Sequence, residues 1–414
     1  MSGPRLDWRC KGLPARAEGL AGAEIGALGL SLTGGDMMMP VAILREEALR
    51  HNIAAMKAFA DGMGARLAPH GKTSMSPELF AMQMEAGAWG LTAATAHHVR
   101  VYRQLGFRRI FLANQLVAPA DIEWILTELA RDPQFDFYCL VDSAETVRIL
   151  AAAAEAAETP RPVQVLVETG TAGGRTGARD LAAALEVARA ASAASPWLTL
   201  RGVETFEGVR PTSGEARPEA SAMIRLAVSA AEAIAGEGLL GEGALILSAG
   251  GSAFLDLCAA GLPAELAGRK VEKVIRPGCY VTHDHGVYEA TIRAGLLGVP
   301  SLQPALEVWA VIHSLPEPGL AIASLGKRDV SHDAGLPRPI RVHRPGEGER
   351  PAAGLVTVTL WDQHASLADP AGTLRVGDLV GFGISHPCST FDRWRALFLA
   401  DDSDRITGAV TTIF

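Results

Sequence analysis

Ala65-Arg66-Leu67-Ala68-Pro69-His70-Gly71-Lys72-Thr73 is the stretch on which the fold turns. Its apolar run ends at Pro69, and Pro69 with Gly71 reads as a strand end entering a tight loop. Lys72 therefore stands at the mouth of a strand, with apolar residues behind it. Desolvation there disfavours the ammonium form and favours the nucleophilic amine that Schiff-base chemistry uses. A loop lysine is more often a solvated surface charge. Among the six lysines (Lys11, Lys57, Lys72, Lys270, Lys273 and Lys327), Lys327 is a direct rival, because it too follows an apolar run, Leu320 to Leu325.

Outward from this stretch, apolar runs and helical periods alternate. Strands are predicted at 65–69, 90–94, 109–112, 137–141, 163–167, 199–204, 245–248 and 273–275. Helical patterns lie between them, for example at 77–86, 144–156 and 220–234. Eight apolar strands with helical crossovers is the layout of a (β/α)8 barrel, and residues 41–290 match its typical length of about 250 residues. A doubly wound open sheet is the runner-up. It needs a glycine-rich phosphate turn after the first strand, where this chain carries Lys72. Before the barrel, residues 1–40 form a lead-in, expected to pack on the second domain, and Pro40 opens a strand at 41–44. From residue 291 the helical periods vanish. Short runs rich in β-branched residues at 306–312, 320–324, 340–342, 355–360 and 379–381 predict a second, mostly β domain over 291–414.

The 414 residues are enough for a large core and two domains, and 48% hydrophobic with 20% charged residues fits a soluble globular chain. A net charge of −8 argues against a nucleic-acid or anionic-membrane partner. Five scattered cysteines predict no disulfide framework and a reducing compartment. With neither a signal-peptide layout nor a spanning apolar run, the expected location is the cytoplasm.

In such a barrel the working residues sit at the C-terminal ends of strands. The fifth strand ends at Glu168 and leads into Gly173-Gly174-Arg175-Thr176-Gly177, where glycines let the backbone approach a ligand and Arg175 brings a permanent charge. The seventh ends Ser248-Ala249-Gly250-Gly251-Ser252 before a short helix, a pattern that suits phosphate; an ordinary turn with a serine cap is the plainer reading. The eighth ends Arg276-Pro277-Gly278-Cys279-Tyr280. In the second domain, Ser385-His386-Pro387-Cys388 places imidazole and thiolate within reach of one borderline-soft cation, although two ligands alone make a weak motif.

Pro69-His70-Gly71-Lys72-Thr73 resembles the lysine motif of pyridoxal-phosphate enzymes of the alanine-racemase barrel type, and most of all the D-serine dehydratase and D-threonine aldolase branch. That branch often continues Thr-His-Lys, where this chain has Thr73-Ser74-Met75. The resemblance implies that Lys72 holds pyridoxal 5'-phosphate as a Schiff base and that Arg175 meets the phenolate oxygen of the ring. It further implies that Ser248, Gly250, Gly251, Ser252 and Tyr280 hold the phosphate. Gly202-Val203-Glu204-Thr205-Phe206-Glu207-Gly208 resembles a family segment with tyrosine where Phe206 stands, so that hydroxyl is absent.

His386 and Cys388 resemble the branch's zinc pair. An aspartate commonly replaces the cysteine in the aldolases and suits a harder ion such as manganese, so Cys388 tilts the reading to zinc and dehydration. Gly326-Lys327-Arg328-Asp329-Val330-Ser331 resembles a segment of bacterial amino-acid deaminases. The implied activity is dehydration of 3-hydroxy D-amino acids such as D-serine or D-threonine to a 2-oxo acid and ammonia, by a homodimer. D-threonine aldolase chemistry is the alternative, and a non-catalytic pyridoxal-phosphate-binding protein is the alternative from another class. His283-Asp284-His285 is taken as a polar loop, His97-His98 as a helix start, and Asp362-Gln363-His364 as a candidate for the site's rim.

Overall fold

The computed structural model describes residues 4–208, 216–250, 254–286, 288–290 and 301–414. After strand β1 (Val41–Arg45) and a helix at Glu46–Gly62, the chain builds a parallel sheet in sequence order. Its strands are β2 (Arg66–Leu67), β3 (Leu91–Ala93), β4 (Arg109–Gln115), β5 (Asp136–Val141), β6 (Val163–Thr169), β7 (Leu198–Thr205), β8 (Leu245–Ala249) and, after the short β9 (Glu265–Leu266), β10 (Arg269–Ile275). β10 pairs with β2, and the ring closes where Trp89 N–H donates to Leu67 O (2.7 Å) and Thr92 N–H to Pro69 O (2.8 Å). This is the expected (β/α)8 barrel.

The apolar runs are continuous because each strand is covered on both faces. Ala68, Phe111, Leu166, Ile246 and Val274 fill the barrel interior. Outside it, helices such as Ala144–Ala156, capped by Ser143, and Leu181–Ala193, capped by Asp180, bury their apolar stripes.

The second sheet is largely antiparallel. It comprises β11 (Leu306–Glu317), β12 (Leu320–Ala323), β13 (Arg338–Arg344), β14 (Gly348–Pro351), β15 (Val356–Leu360), β16 (Ala365–Ala368), β17 (Leu379–Gly383), β18 (Ala396–Ala400) and β19 (Ile406–Thr411). The order is β14-β13-β17-β11-β1-β18-β19, with β12, β16 and β15 continuing from the far end of β11.

β1 corrects the sequence reading. It stands at the start of the expected barrel span, yet it pairs antiparallel with β11 and parallel with β18 inside the second sheet. A buried ion network holds it there: Arg45 bridges Glu307 (3.0 Å) and Asp404 (2.6 Å), and Arg341 joins Glu307 (3.0 Å).

The lead-in lies on the same sheet. Leu6, Leu13, Ile25, Leu30 and Leu32 pack against Val41, Ile43, Trp309 and Phe398. Its glycines permit the close approach, since a Cβ on Gly22 would stand 2.1 Å from Ala409 O. No helix among the described residues is long and apolar enough to cross a membrane.

Candidate active site

β2 delivers Lys72. His70 N–H donates to Pro277 O (3.0 Å), so the chain leaving β2 stays tied to the segment after β10 before it turns through Gly71–Thr73. Gly71 has no room for a side chain, because a Cβ there would meet the Tyr102 hydroxyl at 2.3 Å. The turn leaves Lys72 facing a cavity of about 230 Å³, without a hydrogen-bond or ion-pair partner among the described residues.

Arg175, Glu168, Glu204, Gly250 and Arg276 line the same cavity. Arg175 stacks on Phe206 at 4.6 Å, and its loop is clamped by Arg179, which donates to Thr171 O (2.7 Å) and Arg175 O (2.6 Å). Glu168 accepts from Thr176 (2.7 Å) and Gln115, and burial raises its carboxyl above the usual range. Arg276 pairs with Glu204; burial pushes the Glu204 carboxyl up to about 8 against the pull of that guanidinium. His70 is held well below its ordinary value, first by burial and then by the charges of Lys72 and Arg276, so its ring is neutral. Among the described residues, three buried polar atoms around this space have no partner: His70 Nδ1, Glu204 Oε2 and Arg276 Nε.

The residues expected at the phosphate separate. Gly250 lines the cavity in a left-handed conformation, φ +101°. Ser248 is buried, its hydroxyl donating to Val274 O (3.1 Å) and accepting from Arg276 Nη1 (2.8 Å). Gly251 and Ser252 lie outside the described residues. Tyr280 lies in the core with its hydroxyl accepting from Gln83 (2.9 Å), and it is not among the residues lining the cavity. His70, Glu168, Glu204 and Arg276 were not singled out from sequence. The available signal was a charged or polar residue ending an otherwise apolar barrel strand.

A second cavity, of about 580 Å³, shares His70, Lys72, Phe206 and Arg276 with the first and reaches Asp284, Asp333, His386 and Cys388. The two motifs that the sequence separates by more than three hundred residues thus border one continuous space. His386 Nδ1 sits 2.6 Å from Asp333 Oδ2 and 3.0 Å from Ser389 Oγ, so the carboxylate orients the ring. The contact with Cys388, and then Asp333, pushes the imidazole up to about 9. Cys388 Sγ lies 3.3 Å from Thr73 Oγ1, directly beside the lysine.

Imidazole, thiol and an orienting carboxylate form a donor set that fits a borderline-soft cation. Among the described residues no group of three or more His, Cys, Asp or Glu could hold a metal, so two protein donors would leave positions open for water and substrate. The cavity with Lys72, Arg175 and unpartnered buried atoms likewise fits a small phosphorylated carbonyl cofactor.

Of the other candidates, Asp284 lines the second cavity and the rest fall elsewhere. Asp284 accepts from Gly286 N–H (2.7 Å) and Tyr288 N–H (2.9 Å), and the His285 ring packs against Gly383, so His283-Asp284-His285 is a structured turn. His98 lies in the first turn of helix Ala96–Gln104, its N–H capped by Thr95 (3.2 Å). Lys327 and His364 line neither cavity. Asp329, within the basic segment, is buried and bound by Lys11 (2.8 Å).

Residues 44–281 match the family model described as "Alanine racemase, N-terminal domain". The chain belongs to that family. Residues 305–400 match a second model, "Putative serine dehydratase domain". The chain is similar to a 3-hydroxy-D-aspartate aldolase of Paracoccus denitrificans (strain Pd 1222), 26% identical over 353 residues that cover 83% of each protein. Its fold resembles that of D-threonine aldolase from Filomicrobium marinum, with a TM-score of 0.76 and 22% identity over 93% of this chain and 97% of that one. It also resembles a D-threo-3-hydroxyaspartate dehydratase cysteine variant in the metal-free form, with a TM-score of 0.74 and 24% identity over 93% and 99% of the two chains.

Proposed function

We propose that this barrel enzyme is a pyridoxal-phosphate-dependent lyase of 3-hydroxy D-amino acids that eliminates the 3-hydroxyl as water, the released enamine then taking up water to give a 2-oxo acid and ammonia, assisted by zinc. One observation supports the reading above the others: Lys72 and the His386–Cys388 pair border two cavities that share four wall residues. When bound, pyridoxal phosphate supplies an electron sink for the pair left at the substrate α-carbon. Lys72 would anchor the cofactor, with Arg175 as a charge that cannot be deprotonated near the ring oxygen and Gly250 at the phosphate.

When not holding the cofactor, Lys72 Nζ would serve as the base for the substrate α-proton. Neutral His70 beside it offers no competing positive charge to that amine. His386 and Cys388 would hold the metal, which supplies Lewis acidity to the 3-hydroxyl. Asp333 fixes the imidazole, and the Thr73–Cys388 contact keeps the lysine turn and the metal motif together.

The reading includes a cytoplasmic homodimer. Five free cysteines suit a reducing compartment, and Val356, Val358 and Trp361 are exposed large apolar residues of the kind an association surface covers.

The test is product analysis after incubating the purified protein with D-threonine, pyridoxal phosphate and zinc. The reading expects 2-oxobutanoate and ammonia. Glycine and acetaldehyde would instead make the enzyme an aldolase, and light scattering checks the dimer.

A further inference from the structure

Cys279 plays no part in the chemistry above, yet it touches the centre of it. It opens the turn Cys279–Val281 after β10, on the barrel, whereas Cys388 opens the short helix Cys388–Phe391 of the second domain. Their sulfurs stand 3.3 Å apart. That is nearer than the ordinary contact of about 3.5–4.0 Å between non-bonded carbons, and roughly 1.3 Å of approach would reach disulfide length. Both residues line the 580 Å³ cavity, so a small reagent can reach them from the substrate side. The remaining cysteines are elsewhere: Cys139 and Cys258 are fully buried in the barrel, and Cys10 packs in the lead-in.

We propose that Cys279 and Cys388 form a thiol–disulfide couple that withdraws Cys388 from the site under oxidising conditions and returns it on reduction. The effect on metal rests on the reading of His386 and Cys388 as metal ligands; the sulfur chemistry does not.

The oxidant is a low-molecular-weight disulfide. The Cys388 thiolate attacks one of its sulfurs, forming a mixed disulfide and releasing one small thiolate. The Cys279 thiolate then displaces the second. One S–S bond forms in the protein and one breaks in the reagent, and the two protons from the cysteines end on the two small thiols. The oxidised sulfur can no longer serve as a thiolate ligand, and His386 alone is one donor too few. The bond would also staple the barrel to the second domain next to Thr73, whose hydroxyl lies 3.3 Å from Cys388 Sγ and 4.0 Å from Cys279 Sγ. Cytosolic disulfides of this kind are transient and reversible, which suits a sensor better than a structural bond.

The experiment treats the full-length, chelator-stripped protein with oxidised glutathione, alkylates free thiols and maps the peptides by mass spectrometry. The expected result is a linked pair of peptides carrying Cys279 and Cys388. In a parallel unalkylated sample given zinc and freed of excess ion, the oxidised protein should retain about tenfold less zinc or lower than the reduced protein, and reduction with a phosphine before zinc is added should restore uptake. In the Cys279→Ser variant, glutathione should remain on Cys388 with no cross-link. Full alkylation of both cysteines after oxidant, or stable glutathione on Cys388 in the unaltered chain, would overturn the couple. Zinc failing to bind even the reduced protein would sink the metal reading, while the linked peptide would still decide the couple.

Discussion

Lys72 and His386 border one cavity, but the chain delivers them by different physics. Lys72 follows a two-residue barrel strand whose backbone is bonded to the neighbouring strands and whose surroundings are apolar. His386 follows β17, in a sheet pinned by buried charges on Arg45, Glu307, Asp404 and Arg341. The barrel side therefore depends mainly on burial of apolar surface beneath Lys72, with one buried pair, Arg276–Glu204, in the cavity wall. The second side depends on paired charges and oriented hydrogen bonds, which fail sharply when one partner is lost. Chemistry that uses both needs the two to stay in register, and the Thr73–Cys388 contact is where they meet.

The largest expected effect breaks the barrel side. Lys72→Ala should lower kcat/KM by about a thousandfold or more, roughly 4 kcal/mol, and abolish borohydride fixation of the cofactor while the melting temperature holds. Retained fixation would move the role to another lysine, with Lys327 the first to examine.

Breaking the other side shows first as lost stability. Arg45→Ala leaves the buried Glu307 and Asp404 with only the more exposed Arg341 between them, and should cost about 3 kcal/mol in urea titrations. A loss below about 1 kcal/mol would mean that the network does not hold β1 in the sheet.

Asp333→Asn separates orientation from anchoring. Zinc affinity should fall about 10–100-fold by equilibrium dialysis, with cofactor uptake unchanged. Equal losses of both would indicate a collapsed cavity rather than a misaimed imidazole.

The smallest effect probes the seam. Burial holds His285 down to about 3, against an ordinary value near 6.5, where it packs on Gly383 of β17. Below pH 6.5 the unfolded chain takes up a proton that the folded chain refuses. Stability should therefore be flat above about 6.5 and decline as the pH falls towards 3, by about 2 kcal/mol at pH 5. Melting temperatures across that range should show the decline, and His285→Gln should flatten it.

Much of this was legible beforehand for a physical reason. A barrel strand buried on both faces must be apolar along its length, so β4 to β8 announce themselves, and a polar residue at a strand's end marks the mouth. The pattern does not show which way a side chain turns once it is there. Tyr280 follows β10 as expected, but its hydroxyl is drawn to Gln83 rather than to the cavity. Arg276 and Glu204 look in the string like ordinary strand-end charges; only packing makes them a buried pair in the cavity wall.

By itself the sequence determined the alternation that builds the barrel, the lysine at its mouth and the His386–Cys388 spacing, because each depends on neighbours within a few residues. The tertiary structure alone decided that β1 joins β11 and β18, that His386 and Lys72 share a cavity, and that Cys279 rests on Cys388. Those are contacts between distant segments, and the free energy of burying them together is set by the packed whole rather than by any local pattern.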